Sequence, residues 1–572
     1  MATQSATGPE TAVKHTLSIF AGKRGRTLKE VILAYLLILP AFFIIFTFGI
    51  FPLAFSVYQS TLKGLNKIVG TYDGLGNYTK AIGNLAYVLG FWMAIAFLFL
   101  AVNSLIKLVR SAKERGDQPW LLTIPGIALA VGFSLLVRFV YVILPQVLGI
   151  SESLRKAKQA GRPETTAVLF KEFMGEVWRG PEIQSAFWTA VGIFLIAVII
   201  TYIFFHFLPH NPRNPGYLGT FFQSTILILG AFFLSWFTFA QVQAAYTAAF
   251  ESGETLEIWA QTITISAGFV LLLLSWLVWR SASRQDSTAA TFMRLAAGSI
   301  LIVGAWVLIG ELPNAALSGD DDWYLGLLNT VYYSLGSIPF QFIISLMLAT
   351  FLFQDIKGKS FFRMIFFLPY VTPAVGAAAA FRILFSGRVD APVNRIITAL
   401  GFEPLAWLNG SSGIFQLIVG ESHKLPIWAA GPSLSLVVII IFSVWTFIGF
   451  NTVIFLAGLG AIPHELYEAA SIDGGNRWSQ FRHITLPLLS PTIYFLTLYA
   501  VIGTFKAFNH IYVLRTGAAL GTADTASIVI FDAMKRDTRY GYASALAVLL
   551  LIIVMGLTIF NNRIASKRVF YG

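Results

Sequence analysis

The sequence predicts an all-α integral membrane protein with about twelve transmembrane helices. Hydrophobic residues make up 56% of the 572-residue chain and charged residues only 12%, whereas a soluble domain carries roughly 25% charged residues. Apolar runs of about 20 residues, enough to cross ~30 Å of hydrocarbon, recur along the chain. Because backbone groups in lipid must be hydrogen-bonded within their own segment, each run is expected to be a helix.

Twelve apolar runs are long enough to span the membrane. The first follows a basic stretch that contains Lys23 and Arg24, and no small-residue cleavage site comes soon after it. These features indicate an uncleaved signal anchor with its N-terminus in the cytoplasm. The runs lie at 31–58, 85–108, 121–148, 186–208, 219–242, 258–279, 292–312, 325–353, 364–385, 434–458, 489–514 and 543–561.

The charges between these runs follow the positive-inside rule at most connections. Alternation from a cytoplasmic N-terminus places the acidic segments 251–257 and 311–322 outside the cell. One connection fits poorly, because 149–185 is predicted outside although four Lys and Arg residues stand between positions 155 and 162. The C-terminus is expected in the cytoplasm. The connections predicted to be cytoplasmic include the basic segments 107–115, 280–284 and 357–363.

The largest cytoplasmic connection, Gly460–Pro491, predicts two short helices joined by a glycine turn. Leu466, Ala469 and Ala470 fall on one face of the first helix. Gly474 then ends that helix. The small alanine side chains let another protein approach closely. An alternative from the pattern alone is an amphipathic connector that rests on the lipid headgroups.

The same connection resembles the EAA loop of permease subunits in binding-protein-dependent ABC importers. The family pattern is Glu-Ala-Ala, three residues, Gly, nine residues, Ile, one residue and Leu-Pro. The resemblance implies that this segment, 460–488, couples the permease to an ATPase. The residues that stand at the family spacing are Glu468, Ala469, Ala470, Gly474, Ile484, Leu486 and Pro487.

Further segments resemble permeases of the maltose and glycerol-phosphate type, across about 1–82 and 322–572. The resemblance divides the chain into a cytoplasmic N-terminus with the first transmembrane helix (1–82), an inserted block of about six helices (83–321) and a permease core (322–572). An even number of inserted helices keeps the EAA loop in the cytoplasm. The segments that carry this resemblance are Gly74–Ile82, Trp323–Pro339, Gly358–Phe385, Phe505–Gly517 and Gly541–Leu550.

The resemblance implies a prokaryotic inner-membrane subunit of an ATP-driven carbohydrate importer. A second permease would complete the translocation path, two copies of an ATPase would bind the cytoplasmic loops, and an extracytoplasmic binding protein would deliver the sugar. ATP and magnesium are expected in the ATPase, and no cofactor or metal is expected in this chain.

Polar residues in the spans beside the EAA loop are candidates for a sugar path. Sugar recognition needs hydrogen bonds to hydroxyl groups and an aromatic face for the C–H side of the ring. The resemblance implies a mid-membrane sugar site on these helices, and Lys506, Asn509 and Tyr512 are expected roughly on one side of one helix. The alternative for each residue is helix–helix polar contact. The candidates are Ser443, Trp445, Thr446, Asn451, Lys506, Asn509 and Tyr512.

Other function classes find little support in the sequence. The chain contains no cysteine, which excludes disulfides and thiolate catalysis. Gly358-Lys359-Ser360 ends like a phosphate-binding loop, but Phe353 stands where that motif needs glycine. The net charge of +12 is assigned to cytoplasmic loops rather than to nucleic-acid binding. The main alternative is a twelve-span secondary transporter, which would need a coupling-ion site and matching halves; a membrane-embedded enzyme is a further alternative.

Overall fold

The computed structural model describes residues 23–64, 70–207, 215–253, 255–282, 287–420 and 423–568. The predicted cytoplasmic tail 1–22, part of the basic loop 280–284 and the last four residues lie outside the described residues. The chain divides into two compact units, residues 1–58 and residues 59–572. The first unit contains α1 (Lys23–Ile45) and a π-helical turn (Phe46–Ile50), which continue into α2 (Phe51–Ser60).

The second unit is helical apart from one two-stranded hairpin in its described part, where β1 (Leu62–Lys63) pairs antiparallel with β2 (Thr71–Tyr72). The helix α3 (Gly76–Ile82) leads into the inserted block. The block comprises α4 (Leu85–Arg115), a 3₁₀ turn (Pro119–Leu122), α5 (Thr123–Gln159), α6 (Thr166–Arg179), α7 (Pro181–Phe207), α8 (Pro215–Ser252), α9 (Ile258–Ala282), α10 (Thr288–Ile309) and α11 (Leu312–Ala316).

The predicted core begins with the long helix α12. Its helices are α12 (Asp321–Phe353), α13 (Lys359–Val371), α14 (Ala374–Leu384), α15 (Pro392–Ala399), α16 (Ile414–Val419), α17 (Leu434–Gly460), α18 (Glu465–Ile472), α19 (Arg477–Gln480), α20 (Leu486–Leu488), α21 (Ser490–Phe505), α22 (Asn509–Leu514), α23 (Ala526–Lys535) and α24 (Tyr540–Arg568). Short 3₁₀ turns at Trp407–Asn409 and Gly517–Ala519 and a π-helical turn at Phe481–Thr485 complete the core.

The all-α membrane fold is confirmed, and each predicted run has a helical counterpart. Ten helices in the described ranges are long and apolar enough to cross a membrane, or twelve if two bent helix pairs each count as one span. One bent pair is α13 with α14, which meet at 92°. The bend lies at Thr372 and Pro373, where Thr372 is extended because the residue before a proline disfavours helical geometry.

The predicted run 489–514 is wrong as a single helix. The helix α21 ends at Phe505, and α22 starts only at Asn509. Such a break frees backbone groups that need other partners in an apolar environment. The hydroxyl of Ser527 donates a hydrogen bond of 2.9 Å to the carbonyl of Phe505, which satisfies the group left at the end of α21.

The inserted block is built from antiparallel helix pairs. The tightest pairs are α4 with α8, α5 with α7 and α9 with α10. Glycines allow close approach at these contacts, as in membrane helix pairs generally. A Cβ at Gly132 of α5 would lie 2.9 Å from the Cα of Phe194 in α7, and one at Gly298 of α10 would overlap the Trp279 ring of α9.

The two ends of the block meet on one face of the membrane. The amide of Asn84 donates to the carbonyl of Ala315 at 3.0 Å, and the amide of Asp320 donates to the carbonyl of Ala81 at 3.2 Å. The block contains six candidate spans between Leu85 and Ala316. Six antiparallel spans that begin and end together leave the direction of the chain unchanged where α12 begins.

The core is organised around the contact between α12 and α17. The helix α13 crosses α17 so closely that a Cβ at Gly449 would overlap the carbonyl of Phe366. The start of α24 lies beside the start of α12, where the Tyr542 hydroxyl bonds Asp320. At the opposite end, the Tyr494 hydroxyl of α21 donates to Asn562 of α24 at 2.7 Å. The connection 460–488 and the end of α24 therefore share one face of the protein.

Candidate functional site

The connection between α17 and α21 folds as two short helices around a glycine turn, as predicted. Gly474 has φ +79°, a left-handed conformation that glycine adopts at no steric cost. The amide of Gly475 donates to the carbonyl of Ala470 at 2.7 Å, which closes the end of α18. A Cβ at Gly474 would meet nothing within 4 Å. Within this chain, position 474 therefore requires glycine only because of its backbone conformation.

Side-chain hydrogen bonds brace the two arms of this turn against each other. The Gln480 amide of α19 donates to the Ser471 hydroxyl at 2.8 Å and to the Gly475 carbonyl at 3.1 Å. The hydroxyls of Tyr467 and Thr485 lie 3.0 Å apart. These bonds join α18 to the helical segment that leads into α21.

The predicted coupling residues divide into an exposed set and a packed set. The carboxylate of Glu468 lies 3.0 Å from the Nδ1 atom of His464, and its side chain is 65% exposed. The exposed members are Glu468, Ala469, Gly474 and Pro487, and the partly buried members are Ala470, Ile484 and Leu486. The exposed set offers a surface to a partner, while the packed set holds the segment together.

Two exposed apolar side chains extend this surface. Ile472 is 86% exposed at the end of α18, and Trp478 is 66% exposed on α19. The Trp478 ring stacks on Phe481 at 5.7 Å between centroids. Sequence reasoning missed Ile472. An apolar residue at a helix end between a serine and an aspartate was the available signal.

A polar seam joins α12, α17 and α22 behind the connection; it consists of Tyr333, Gln341, Ser443, Asn451 and His510. The Ser443 hydroxyl accepts hydrogen bonds from the Tyr333 hydroxyl at 2.9 Å and from the Gln341 amide at 3.1 Å. The Asn451 amide lies 3.5 Å from the Gln341 oxygen. The Tyr333 hydroxyl also lies 2.9 Å from the Nε2 atom of His510.

The seam contains two of the predicted sugar-path residues, Ser443 and Asn451, both of which are buried. Their side chains form hydrogen bonds with side chains of another helix, α12, which matches the alternative of helix–helix polar contact. Thr446 is likewise occupied, since its hydroxyl donates to the Phe442 carbonyl of its own helix at 2.9 Å. Sequence reasoning missed Tyr333, Gln341 and His510, which come from distant parts of the chain.

The remaining path candidates are exposed but do not form one stripe. Lys506 closes α21, whereas Asn509 and Tyr512 belong to α22, so the expected single polar side of a continuous helix is wrong. All three side chains are exposed, and Trp445 is 37% exposed beside the Phe381 ring. The Tyr512 ring stacks on Phe508, and the Arg515 guanidinium lies 4.7 Å from its centroid.

A charged cavity of about 580 Å³ opens at the end of the core opposite the connection. Arg515 makes a two-pronged ion pair with Asp532, at 2.8 and 3.0 Å. This hydrogen bonding raises the pKa of Arg515. Burial raises the pKa of the nearby Asp524, although Arg515 opposes the effect. Sequence reasoning did not identify this cavity, despite the run of Arg and Asp residues between positions 515 and 539.

The charged groups of the described residues do not form a metal centre. No group of three or more His, Asp or Glu residues stands close enough to hold an ion within those ranges.

Comparison with known proteins identifies the family. Residues 315–569 match the family model described as the binding-protein-dependent transport system inner membrane component. The sn-glycerol-3-phosphate transport system permease protein UgpA of Agrobacterium fabrum is 31% identical over 271 residues, which cover 46% of this chain and 83% of the relative. The chain belongs to this family of inner-membrane transport components.

Other relatives in the family carry related names. The trehalose/maltose transport system permease protein MalF of Thermococcus litoralis is 30% identical over 253 residues, 44% of this chain and 77% of the relative. The arabinooligosaccharides transport system permease protein AraP of Bacillus subtilis is 29% identical over 281 residues, 48% of this chain and 80% of the relative. Each match accounts for at most about half of this chain.

Family membership confirms the predicted permease and favours it over the twelve-span secondary transporter. The chain is an inner-membrane component of a transport system that depends on a binding protein. The boundaries at 82 and 321 and the roles of individual residues stay predictions.

Proposed function

We propose that this chain is a permease subunit of an ATP-driven importer of mono- or oligosaccharides and forms the translocation path with a second permease. The names of two relatives, which refer to arabinooligosaccharides and to trehalose and maltose, support the sugar class. The observation that carries the proposal is the braced helix–turn–helix at 460–488, whose exposed face combines Glu468 with the apolar side chains of Ile472 and Trp478.

This face binds one of two ATPase subunits, which hold the ATP and magnesium. Closure of the ATPases moves α18, and the hydrogen bonds across the turn pass the movement to α21 and α17. The seam then repositions α12 against α17 and α22, so the pathway opens alternately to the two sides of the membrane. Rigid helices tied by short hydrogen bonds are suited to such transmission.

The connection and both termini lie in the cytoplasm, and the face that contains Asp320 lies outside. A binding protein delivers the sugar to that outer face. Trp445, Lys506, Asn509 and Tyr512 are the residues of this chain that contact the sugar, because they combine exposed aromatic faces with hydrogen-bonding groups.

Co-purification and coupled ATP hydrolysis test the proposal. The chain should co-purify with a second permease and an ATPase, and a sugar-loaded binding protein should stimulate hydrolysis by the reconstituted complex. Tags at the C-terminus and between Leu466 and Ser479 should both be accessible only from the cytoplasm. An extracytoplasmic tag in the connection, or hydrolysis that ignores every sugar-loaded binding protein, would contradict the proposal.

A further inference from the structure

A helical hairpin projects from the inserted block on the face opposite the connection 460–488. The helix α5 contains 37 residues, which extend roughly 55 Å at ~1.5 Å per residue, well beyond ~30 Å of hydrocarbon. Its last part therefore lies outside the hydrocarbon. The chain turns at Gly161, returns through α6 and enters the membrane again with α7 at Pro181.

The helix α6 has a wider apolar surface than its packing uses. Leu169 is fully buried, and Phe173 and Val177 are partly buried on the same side. A second row follows at a spacing of four residues, with Phe170 45% exposed and Trp178 39% exposed. Met174 lies between them and is partly exposed. This row, Phe170, Met174 and Trp178, is called the apolar row below.

The apolar row continues onto aromatic residues near the start of α7. The Trp178 ring lies 4.9 Å from Phe187, whose ring is 5.2 Å from that of Trp188 and 5.3 Å from that of Phe139 on α5. Trp188 is 67% exposed in the second turn of a candidate span. Tryptophan is enriched at the boundary between hydrocarbon and headgroups, so Trp178 lies at that depth.

Unpaired positive charge accompanies the apolar row. Four exposed basic residues of the hairpin have no ion pair among the described residues, whereas Lys156 pairs with Glu152 and Arg162 pairs with Glu164 and Glu172. Glu176 is the one carboxylate of α5 and α6 between positions 150 and 179 that lacks such a pair. The four basic residues are Arg155, Lys158, Lys171 and Arg179.

We propose that α6 is an interfacial helix that binds the surface of the outer leaflet. The apolar row enters the boundary between headgroups and acyl chains, and the unpaired basic residues meet anionic phospholipid headgroups. Continuity of the row with Trp188 favours lipid over the binding protein as the occupant. The assignment to the outer leaflet follows the proposed orientation, while binding to lipid does not depend on it. The proposal also explains why the loop 149–185 departs from the positive-inside rule.

The absence of cysteine from the chain makes spin labelling a direct test. Single variants Phe170→Cys and Met174→Cys carry labels on the apolar row, and Glu172→Cys and Glu176→Cys are matched controls on the opposite side of α6. The full chain in nanodiscs that contain phosphatidylglycerol should give a several-fold higher ratio of oxygen to nickel-complex collisions at 170 and 174 than at 172 and 176. Exchange to neutral phosphatidylcholine should lower that ratio at 170.

Equal collision ratios at all four positions would overturn the proposal. Shielding of positions 170 and 174 that appears only after the binding protein is added would also overturn it, and would identify the row as a protein-docking surface. The measurement needs neither sugar nor ATPase, so its outcome is independent of the proposed transport function.

Discussion

The inserted block and the core satisfy their backbone hydrogen-bonding groups in different ways. The block uses long, mostly uninterrupted helices that satisfy their backbone groups internally, and it joins the rest of the unit through bonds at one end, such as that from Asp320 to Ala81. The core contains helices that break inside the membrane region, at Thr372 and between Phe505 and Asn509. Side chains such as that of Ser527 form hydrogen bonds with the backbone groups that these breaks leave unpaired.

We expect the block to act as a scaffold and the core to contain the parts that move. Broken helices can change their relative angle without unwinding, and the polar seam connects them to α12 and α17. The block has fewer such connections between the described helices, and glycines such as Gly132 and Gly298 let its helices pack closely. We therefore expect damage to the core to stop transport and equivalent damage to the block to affect mainly stability.

The largest expected effect comes from the connection 460–488. Gly474→Leu should abolish sugar uptake, because a leucine at φ +79° is strained by about 1 kcal/mol or more and its side chain intrudes on the ATPase surface. Glu468→Lys should also abolish uptake while the chain inserts normally. Uptake and ATP hydrolysis by reconstituted complexes measure both effects. Gly460→Ala, which would meet nothing within 4 Å, is the control, and normal uptake by the two test variants would contradict the coupling role.

Matched glycine substitutions test the comparison directly. Gly449→Ala should prevent transport, because the new Cβ overlaps the Phe366 carbonyl and separates α13 from α17. Gly132→Ala should lower the thermal unfolding midpoint of the protein while retaining sugar-stimulated hydrolysis, since it disturbs only α5 and α7. Gly503→Ala, with open space around its Cβ, serves as the control. Loss of coupling in Gly132→Ala would show that the block takes part in the transport movement.

The polar seam is expected to give an intermediate effect. Tyr333→Phe removes the hydroxyl shared by Ser443 and His510 and should destabilise the protein by about 1–3 kcal/mol, as expected for an unsatisfied buried partner. Trp92→Phe in the block removes one hydrogen bond of 3.1 Å to Ser266 and should cost less. Thermal unfolding in detergent compares the two, and an equal loss would remove the distinction between the seam and the contacts of the block.

The exposed path residues should affect affinity rather than assembly. Lys506→Ala and Asn509→Ala are each expected to raise the sugar concentration needed for half-maximal uptake several-fold, because each removes a hydrogen-bonding group that no other helix occupies. The complex should still co-purify with its ATPase. Unchanged apparent affinity in both variants would place the sugar site elsewhere.

The smallest expected effect is a pH dependence at the charged cavity. Burial raises the pKa of Asp524 in the native protein above its unfolded value of about 3.9, so the native state binds this proton more tightly. The contribution to stability is therefore fully present at acid pH and is lost as pH rises through the native pKa. Asp524→Asn should flatten this slope in unfolding midpoints measured between about pH 4 and 7, and an unchanged slope would exclude the assignment.

The helical spans and the glycine turn were determined by the sequence, because each depends on a short contiguous stretch. About 20 apolar residues in lipid have no alternative to a helix, and every predicted run is helical in the structure, although 364–385 and 489–514 are each divided into two helices. The turn at Gly474 follows from residues within one helical turn of it. The seven predicted coupling residues could be recognised from their spacing for the same reason.

Only the tertiary structure decided where α21 ends and which polar groups meet. The end of α21 depends on a hydroxyl 22 residues away, and the seam joins Tyr333 to Ser443 across 110 residues and to His510 across 177. The apolar row of α6 emerges in the same way, because the packing of α5 decides which of its apolar side chains stay exposed. These contacts depend on packing between distant segments, which the local amino-acid composition does not reveal.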